Sequence, residues 1–195
     1  NVSYNKNKLL ELYNGVEEYV NSTTGLKYVV GHSVREYFMN RYAGVNPANG
    51  DALWYTADGE LTTEFREEDK VMTGKSFDSP WVGGFGTSLM WKGLSLSAQF
   101  SWMAKRYVMN NDRFFEESNG LYSAYNQSKR LLYDRWKKPG DITDIPRYGV
   151  TAQLDDRFLE NSSFLRLKNL TLAYAFPQSL LKKTNFFTSA RVYLQ

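Results

Sequence analysis

The amino-acid sequence predicts an all-β fold in which antiparallel strands form part of a transmembrane β-barrel, with long extracellular loops that contain a short helix. Three observations predict this fold. Large apolar residues alternate with small or polar ones, and alternate residues of a strand point to opposite faces. The alternating runs approach the roughly 9–11 residues that a tilted strand needs to cross the hydrocarbon. Short and long connections also take turns along the chain, as in outer-membrane barrels.

The clearest element is a predicted hairpin of strands 84–91 and 94–102, joined by Lys92-Gly93. Glycine suits this two-residue turn because hairpin turns need positive φ angles. Aromatic residues lie at the strand ends, with aliphatic residues between them, as in the aromatic girdles of membrane barrels. The alternation alone would also fit a soluble hairpin with one wet face, so the aromatic ends and the loop pattern decide in favour of the membrane.

Two further strands are predicted at 168–176 and 189–195, and the first of them ends before Pro177, which cannot continue a ladder. The long outer loops are then about 13–80 and 103–163. Apolar residues at helical spacing predict a helix over 120–136. The chain starts with a polar stretch and stops inside a strand, so we expect an internal segment of a longer protein.

Strict alternation also predicts which way the strand side chains point. The side chains expected to face lipid are those of Phe85, Leu89, Trp91, Leu94, Leu96, Phe100, Trp102, Leu170, Leu172, Tyr174 and Phe176. The side chains expected to face the lumen are those of Ser95, Ser97, Gln99, Asn169, Thr171, Arg191 and Tyr193. Arg166 and Lys168 share the parity of Leu170, so they are expected on the lipid side, above the hydrocarbon at the outer interface.

Composition excludes several classes of site. The chain has no Cys and one His, which excludes disulfides, thiolate metal sites and His-cluster zinc sites. A net charge of +3, scattered along the chain, does not indicate nucleic-acid binding. No apolar run is long enough for a transmembrane helix.

Four aspartates in the second long loop, Asp141, Asp144, Asp155 and Asp156, are the remaining candidates for chemistry. They could supply a calcium site or the acid–base pair of a glycosidase. Their spacing matches no EF-hand, and nothing in the sequence brings two of them together. We therefore expect solvated loop charges, no metal and no cofactor.

Several motifs resemble a known family. The block 162–174, followed by Pro177 and the strand 190–195, resembles a signature of the SusC/RagA family of TonB-dependent outer-membrane transporters. The segment 135–147 is similar to a second block of that family, and Gly83-Gly84-Phe85 with Trp91-Lys92-Gly93 to a third. The resemblance spans nearly the whole chain. It implies that 1–195 is a segment of the C-terminal half of a barrel of about 22 strands around an N-terminal plug.

The resemblance also implies a function, which is the import of oligosaccharides or peptides across the bacterial outer membrane without any bond being made or broken. The implied partners are a SusD-like surface lipoprotein that closes the mouth, TonB acting through a missing N-terminal part, and outer-membrane lipid. Residues expected to contact the solute or the lipoprotein are Tyr107, Tyr122, Tyr125, Arg135, Trp136 and Arg147.

Two alternatives stay open at this point. Trp136 could instead pack against the loop helix while Arg135 caps its C-terminal end, where a cation is favoured. The whole chain could instead be a soluble extracellular β-sheet protein that binds or cleaves glycans. Such a protein would need a second apolar layer over Leu89, Leu94, Leu96 and Phe100.

Overall fold

The computed structural model describes residues 1–21, 26–184 and 186–195. The chain divides into two compact units. The sheet unit comprises Asn1–Asn5, Ser79–Lys105 and Ser163–Gln195, and the loop unit comprises Lys6–Asp78 and Arg106–Ser162. Each unit is therefore described by itself.

Strands dominate the described residues; three of them have 11 or 12 residues, and the α-helices have four to six. The strands are β1 (Val2–Tyr4), β2 (Glu18–Val20), β3 (Lys27–Val29), β4 (Glu36–Met39), β5 (Arg41–Val45), β6 (Ala52–Tyr55), β7 (Leu61–Thr62), β8 (Val71–Ser76), β9 (Trp81–Trp91), β10 (Leu94–Ala104), β11 (Tyr107–Met109), β12 (Leu159–Asn161), β13 (Phe164–Ala175) and β14 (Arg191–Leu194). The α-helices are α1 (Asn111–Glu116), α2 (Arg130–Tyr133) and α3 (Gln178–Leu181), with 3-10 turns at Tyr13–Gly15, Glu67–Asp69, Asp156–Phe158 and Lys182–Thr184.

The sheet unit is built on one antiparallel sheet in the order β1-β9-β10-β13-β14. Its central hairpin turns at Lys92 and Gly93, whose φ angles are 44° and 87°. Two positive φ angles give the turn a twist that matches the flanking strands. The hairpin strands reach back to Trp81 and on to Ala104, beyond the predicted bounds.

A β-bulge in β13 changes the direction of its side chains. Gln99 pairs with Asn169, but the next residue, Phe100, pairs with Leu167, so one extra residue lies in β13. Such a residue reverses the alternation beyond it. Arg166 therefore pairs with Ser101, and the expectation that it shares the face of the leucines is wrong.

The loop unit consists of small sheets, β2-β3, β4-β8, β5-β6-β7 and β11-β12, around its own core. Phe158 is fully buried, and Ile145 and Trp54 are nearly so. The ring of Trp54 makes edge contacts with Tyr42 and Phe65. Loops longer than about 15 residues without secondary structure of their own are uncommon, and these loops have both small sheets and a core.

The helix predicted over 120–136 is much shorter in the structure. Within that range only Arg130–Tyr133 is α-helical, with Leu131 as its buried residue. Asn119 and Gly120 have φ angles of 53° and 108°, which a right-handed helix cannot include. Among the described residues, no helix is both long and apolar enough to cross a membrane.

Candidate solute-contact site

Most of the large apolar side chains of the sheet unit lie on one face of the sheet. Residues paired across antiparallel strands point to the same side. The pairing runs Trp91–Leu94–Tyr174, Leu89–Leu96–Leu172 and Phe85–Phe100–Leu167 across the three central strands, with Trp102 opposite Leu165 and Leu170 opposite Ala98. Leu89 is 61% exposed and Leu170 is 49% exposed. Phe176 follows the end of β13, where its ring contacts Tyr174 at 5.2 Å.

The opposite face carries the polar residues that the sequence assigns to the lumen. Ser95, Ser97 and Gln99 pair with Ala173, Thr171 and Asn169, and the last strand adds Arg191 and Tyr193 to the same side. Hydrogen bonds cross this face, from Arg191 Nη2 to Ser95 Oγ at 3.4 Å and between Thr171 Oγ1 and Asn169 Oδ1 at 3.2 Å. This side is therefore polar along the middle of the strands, with Met90 beside the turn and Val82, Met103 and Phe164 at the far end.

In the loop unit, Trp136 and Arg147 hold a turn rather than a helix. The indole N–H of Trp136 donates to Pro47 O at 3.1 Å. Gly50 has φ +77°, and a Cβ built on it would lie 2.4 Å from the Trp136 ring, so only glycine fits this contact. Arg147 Nε donates to Asp51 Oδ1 at 2.9 Å on the same turn. The two side chains thus fix the 46–51 turn.

Arg135 lies at a different place from Arg147, the other arginine of the 135–147 segment. Its guanidinium lies 5.2 Å from the centre of the Tyr148 ring. It lines a cavity of about 490 Å³ that also includes Lys129 and Leu132. Arg135 directly follows Asp134, the C-cap residue of α2, and its side chain lines the cavity beside that helix end.

Tyr122 and Tyr125 belong to an aromatic cluster, which we define as Phe114, Phe115, Tyr122, Tyr125 and Phe158. Its ring centres lie 4.9–6.2 Å apart in mostly edge-to-face pairs, an arrangement that the ring quadrupoles favour. The cluster is buried at Phe158 and exposed at Tyr125, which is 63% accessible. Tyr107 lies apart, in β11, where its carbonyl accepts from Tyr37 Oη at 3.4 Å.

Two arginines and two acids of the loop unit, Arg113, Arg130, Glu117 and Asp144, form a ring of ion pairs. Arg113 donates to Glu117 at 3.1 Å and to Asp144 at 3.3 Å. Arg130 donates to Glu117 at 2.6 Å and to Asp144 at 2.7 Å. Glu117 is buried. This ion-pair ring connects α1, α2 and the segment around Asp144.

The ring also sets the ionisation of Asp144. Burial alone would raise the pKa of this carboxyl, but the hydrogen bond and charge of Arg130, helped by Arg113, outweigh it and hold the pKa below its usual range. The same hydrogen bond raises the pKa of the Arg130 guanidinium further. Asp144 and Arg130 are therefore both charged at neutral pH.

The four candidate aspartates do not converge on one site. Their hydrogen-bond donors are the backbone N–H groups of Lys137 and Lys138 for Asp141, the guanidinium of Arg130 for Asp144, the indole N–H of Trp54 for Asp155, and the backbone N–H of Tyr42 for Asp156. Asp155 is fully buried, so the expectation of a solvated charge is wrong there; burial raises the pKa of its carboxyl. Within the described residues, no cluster of three His, Cys, Asp or Glu could hold a metal ion.

Sequence reasoning missed Arg113, Glu117 and Arg130. The pairs Arg113–Glu117 and Arg130–Asp134 are spaced i,i+4, which is a readable signal for ion pairs on a helix. The contact between Arg130 and Glu117, across 13 residues, has no such signal. The sequence therefore signals the Arg113–Glu117 pair but not the contacts of Arg130 with Glu117 and Asp144 that complete the ring.

Comparisons with known proteins point in one direction. No family model matches the chain. TonB-dependent receptor P3 of Formosa agariphila is 26% identical over 214 residues, which span 100% of this chain and 21% of that protein. TonB-dependent receptor P39 of the same organism is 22% identical over 188 residues, spanning 92% of this chain and 17% of that protein.

Solved structures agree. The RagAB peptide importer in its "open-open" state matches with a TM-score of 0.84 and 37% identity, covering 97% of this chain and 21% of that chain. Its "closed-closed" state matches with a TM-score of 0.83 and 37% identity, covering 98% of this chain and 22% of that chain. The chain belongs to the SusC/RagA type of TonB-dependent transporters. It spans about a fifth of the length of the SusC/RagA-type and TonB-dependent relatives that it matches.

Membership of the SusC/RagA type accounts for the fold of the sheet unit. The neighbours of this chain are TonB-dependent barrel transporters, and the described residues are mostly antiparallel strands with few short helices. The predicted fold class is therefore confirmed.

Proposed function

We propose that this chain is part of a TonB-dependent importer in the bacterial outer membrane, with a transport role and no catalytic one. Its similarity to TonB-dependent receptors and to the RagAB peptide importer supports this. The observation that carries the proposal is the two-sided sheet, in which exposed leucine and aromatic side chains face one way and serines, asparagine and threonine the other. The apolar side would contact lipid and the polar side the lumen.

The remaining assignments belong to the same proposal. The loops 13–80 and 103–163 would lie outside the cell, where a SusD-like surface lipoprotein would cover the mouth. TonB would act through the N-terminal part of the transporter. The solute would be an oligosaccharide or a peptide, and the 37% identity to the RagAB peptide importer favours a peptide.

Among the candidate contacts, Tyr125 is exposed and Arg135 lines a cavity, and we take these two as the side chains that touch solute. Trp136 and Arg147 would act by holding the 46–51 turn in place. Tyr107 and Tyr122 would support the surface from within the loop unit.

Energised uptake by the full-length transporter tests the import role. We expect cells that carry the intact gene to accumulate a fluorescent peptide mixture, and a protonophore or deletion of TonB to abolish the accumulation. A matched strain lacking only this transporter gives the background. Accumulation that does not depend on TonB would refute an active import role.

A soluble glycan-binding or glycan-cleaving protein is the alternative, and it makes a different prediction. The purified full-length protein would then stay monodisperse without detergent, because its apolar face would be covered by protein. We expect instead that removal of detergent precipitates it, which light scattering measures directly.

A further inference from the structure

Two carboxylates on α1 lack counter-ions. Asp112 and Glu116 lie four residues apart on this short helix. Among the described parts of the chain, neither forms an ion pair. The basic residue of the helix, Arg113, points into the ion-pair ring and donates to Glu117 and Asp144 instead.

Local preferences oppose Glu116. It lies i,i+4 from Asp112, and like charges at this spacing destabilise a helix. It also lies in the last turn, at the negative end of the helix dipole, whereas Asp112 in the first turn lies at the favourable end. A residue that opposes local preference is expected mainly at a functional or strained site. A cation that binds between Asp112 and Glu116 would give the pair such a function.

Aromatic rings form the adjoining wall. A cavity of about 430 Å³ is lined by Asp112, Phe115, Glu116, Tyr125 and Asn126. The Phe115 and Tyr125 ring centres are 6.1 Å apart at an angle of 55°, and both rings are exposed. The negative faces of such rings attract cations, so the two carboxylates and the two rings select the same kind of group.

We propose that this cavity binds an ammonium or guanidinium group carried by the solute, such as a lysine or arginine side chain of a peptide or the free amine of an amino sugar. The proposal rests on the proposed import function and names the chemistry of one part of the solute. Asp112 and Glu116 would supply the charge, and Phe115 and Tyr125 the stacking faces. Neutral sugars and acidic peptides would gain nothing from the carboxylates.

Binding to the full-length transporter in detergent, measured by fluorescence anisotropy, tests the proposal. One pair of probes is a labelled Gly/Ser nonapeptide with two lysines and the same peptide with Nε-acetyl-lysines. The second pair is a chitosan tetramer and its fully N-acetylated form. We expect at least one cationic probe to bind about tenfold more tightly than its acetylated partner, and the preference to shrink as salt is raised.

Variants then assign the preference to the cavity. Asp112→Asn/Glu116→Gln should abolish the preference for the cationic probe and leave the affinity for the acetylated probe unchanged. Asp58→Asn/Glu60→Gln removes the same charge from the exposed 56–60 turn and should have no effect. Tyr125→Leu should weaken binding of the cationic probe severalfold.

Equal binding of both cationic probes and their acetylated partners by the wild type would overturn the proposal without needing any variant. So would a preference that survives Asp112→Asn/Glu116→Gln, since the cation would then bind elsewhere. TonB-dependent uptake measured in parallel separates the two levels. If uptake persists without a cation preference, the cavity assignment fails and the import function stands; if uptake is absent, the import function itself fails.

Discussion

Neutralising the buried acid of the ion-pair ring should loosen the loop unit locally. Glu117 is 5% exposed in its side chain and accepts from both Arg113 and Arg130, whose side chains are 22% and 36% exposed. Breaking a buried ion pair costs about 3–5 kcal/mol. Both arginines keep Asp144 as a partner and stay partly solvated, so Glu117→Gln should cost about 2–3 kcal/mol.

Hydrogen exchange of the full-length transporter, followed by mass spectrometry, measures this loss. A cost of about 2–3 kcal/mol corresponds to exchange roughly 30- to 140-fold faster, since about 1.4 kcal/mol is a factor of ten. The faster exchange should be confined to peptides covering α1 and α2. Glu160→Gln is the matched control. The Glu160 carboxylate also pairs with Arg113, but it is 43% exposed and the pair is longer, at 3.5 Å. Its loss should therefore change the free energy of unfolding by less than about 0.5 kcal/mol.

Two results would refute the reasoning. Equal effects of Glu117→Gln and Glu160→Gln would mean that burial of the acid contributes nothing. Faster exchange spread equally over the strands of the sheet unit would mean that the ring does not act locally.

Three other predictions follow from single positions. Gly50→Ala should speed hydrogen exchange in the 46–51 turn, because the added Cβ would lie 2.4 Å from the Trp136 indole. Gly59→Ala is the control, since its Cβ would have nothing within 4 Å and would add backbone strain alone. Leu170→Arg should lower the folded fraction of the barrel, at a cost of about 2–4 kcal/mol if it faces mid-bilayer lipid, while Thr171→Arg on the opposite face should be tolerated; heat-modifiable gel mobility compares them. The lowered pKa of Asp144 means that its contribution is complete above about pH 4 and is lost as the pH falls through its folded-state pKa. Acid unfolding followed by tryptophan fluorescence should therefore depend less on pH in Asp144→Asn. An unchanged profile would exclude this carboxyl as a source of the pH dependence of stability.

The fold of the sheet unit could be predicted from the sequence because it depends on a local pattern, the alternation of apolar and polar residues along each strand. Alternation between Leu94 and Trp102 fixes the two faces of β10, and Lys92-Gly93 fixes the turn. The bulge in β13 left a signal that strict alternation overlooked, because the leucines change parity from Leu165 and Leu167 to Leu170 and Leu172. The predicted direction of Arg166 was wrong because unbroken alternation was assumed across that change.

The loop unit was harder to predict because its order comes from contacts distant in sequence. Trp54 donates to Asp155 across 101 residues, and Arg130 reaches Glu117 from a separate helix. The periodicity around Leu131 indicated a helix over 120–136, but only Arg130–Tyr133 is α-helical within that range. Pairwise geometry of this kind is not encoded in any local pattern.

The bulge bears directly on how β13 could lie in a membrane. Without it, Arg166 would share a face with Leu170, and a charge on a lipid-facing side is costly away from the interface. With it, Leu165 and Leu167 pair with Trp102 and Phe100 on the apolar side, while Arg166 pairs with Ser101 on the polar side. One inserted residue therefore extends the apolar face along the whole of β13 and removes a cation from it. Leu165 is 65% exposed and Leu167 is 46% exposed, which is the exposure that the lipid contact proposed for this face needs.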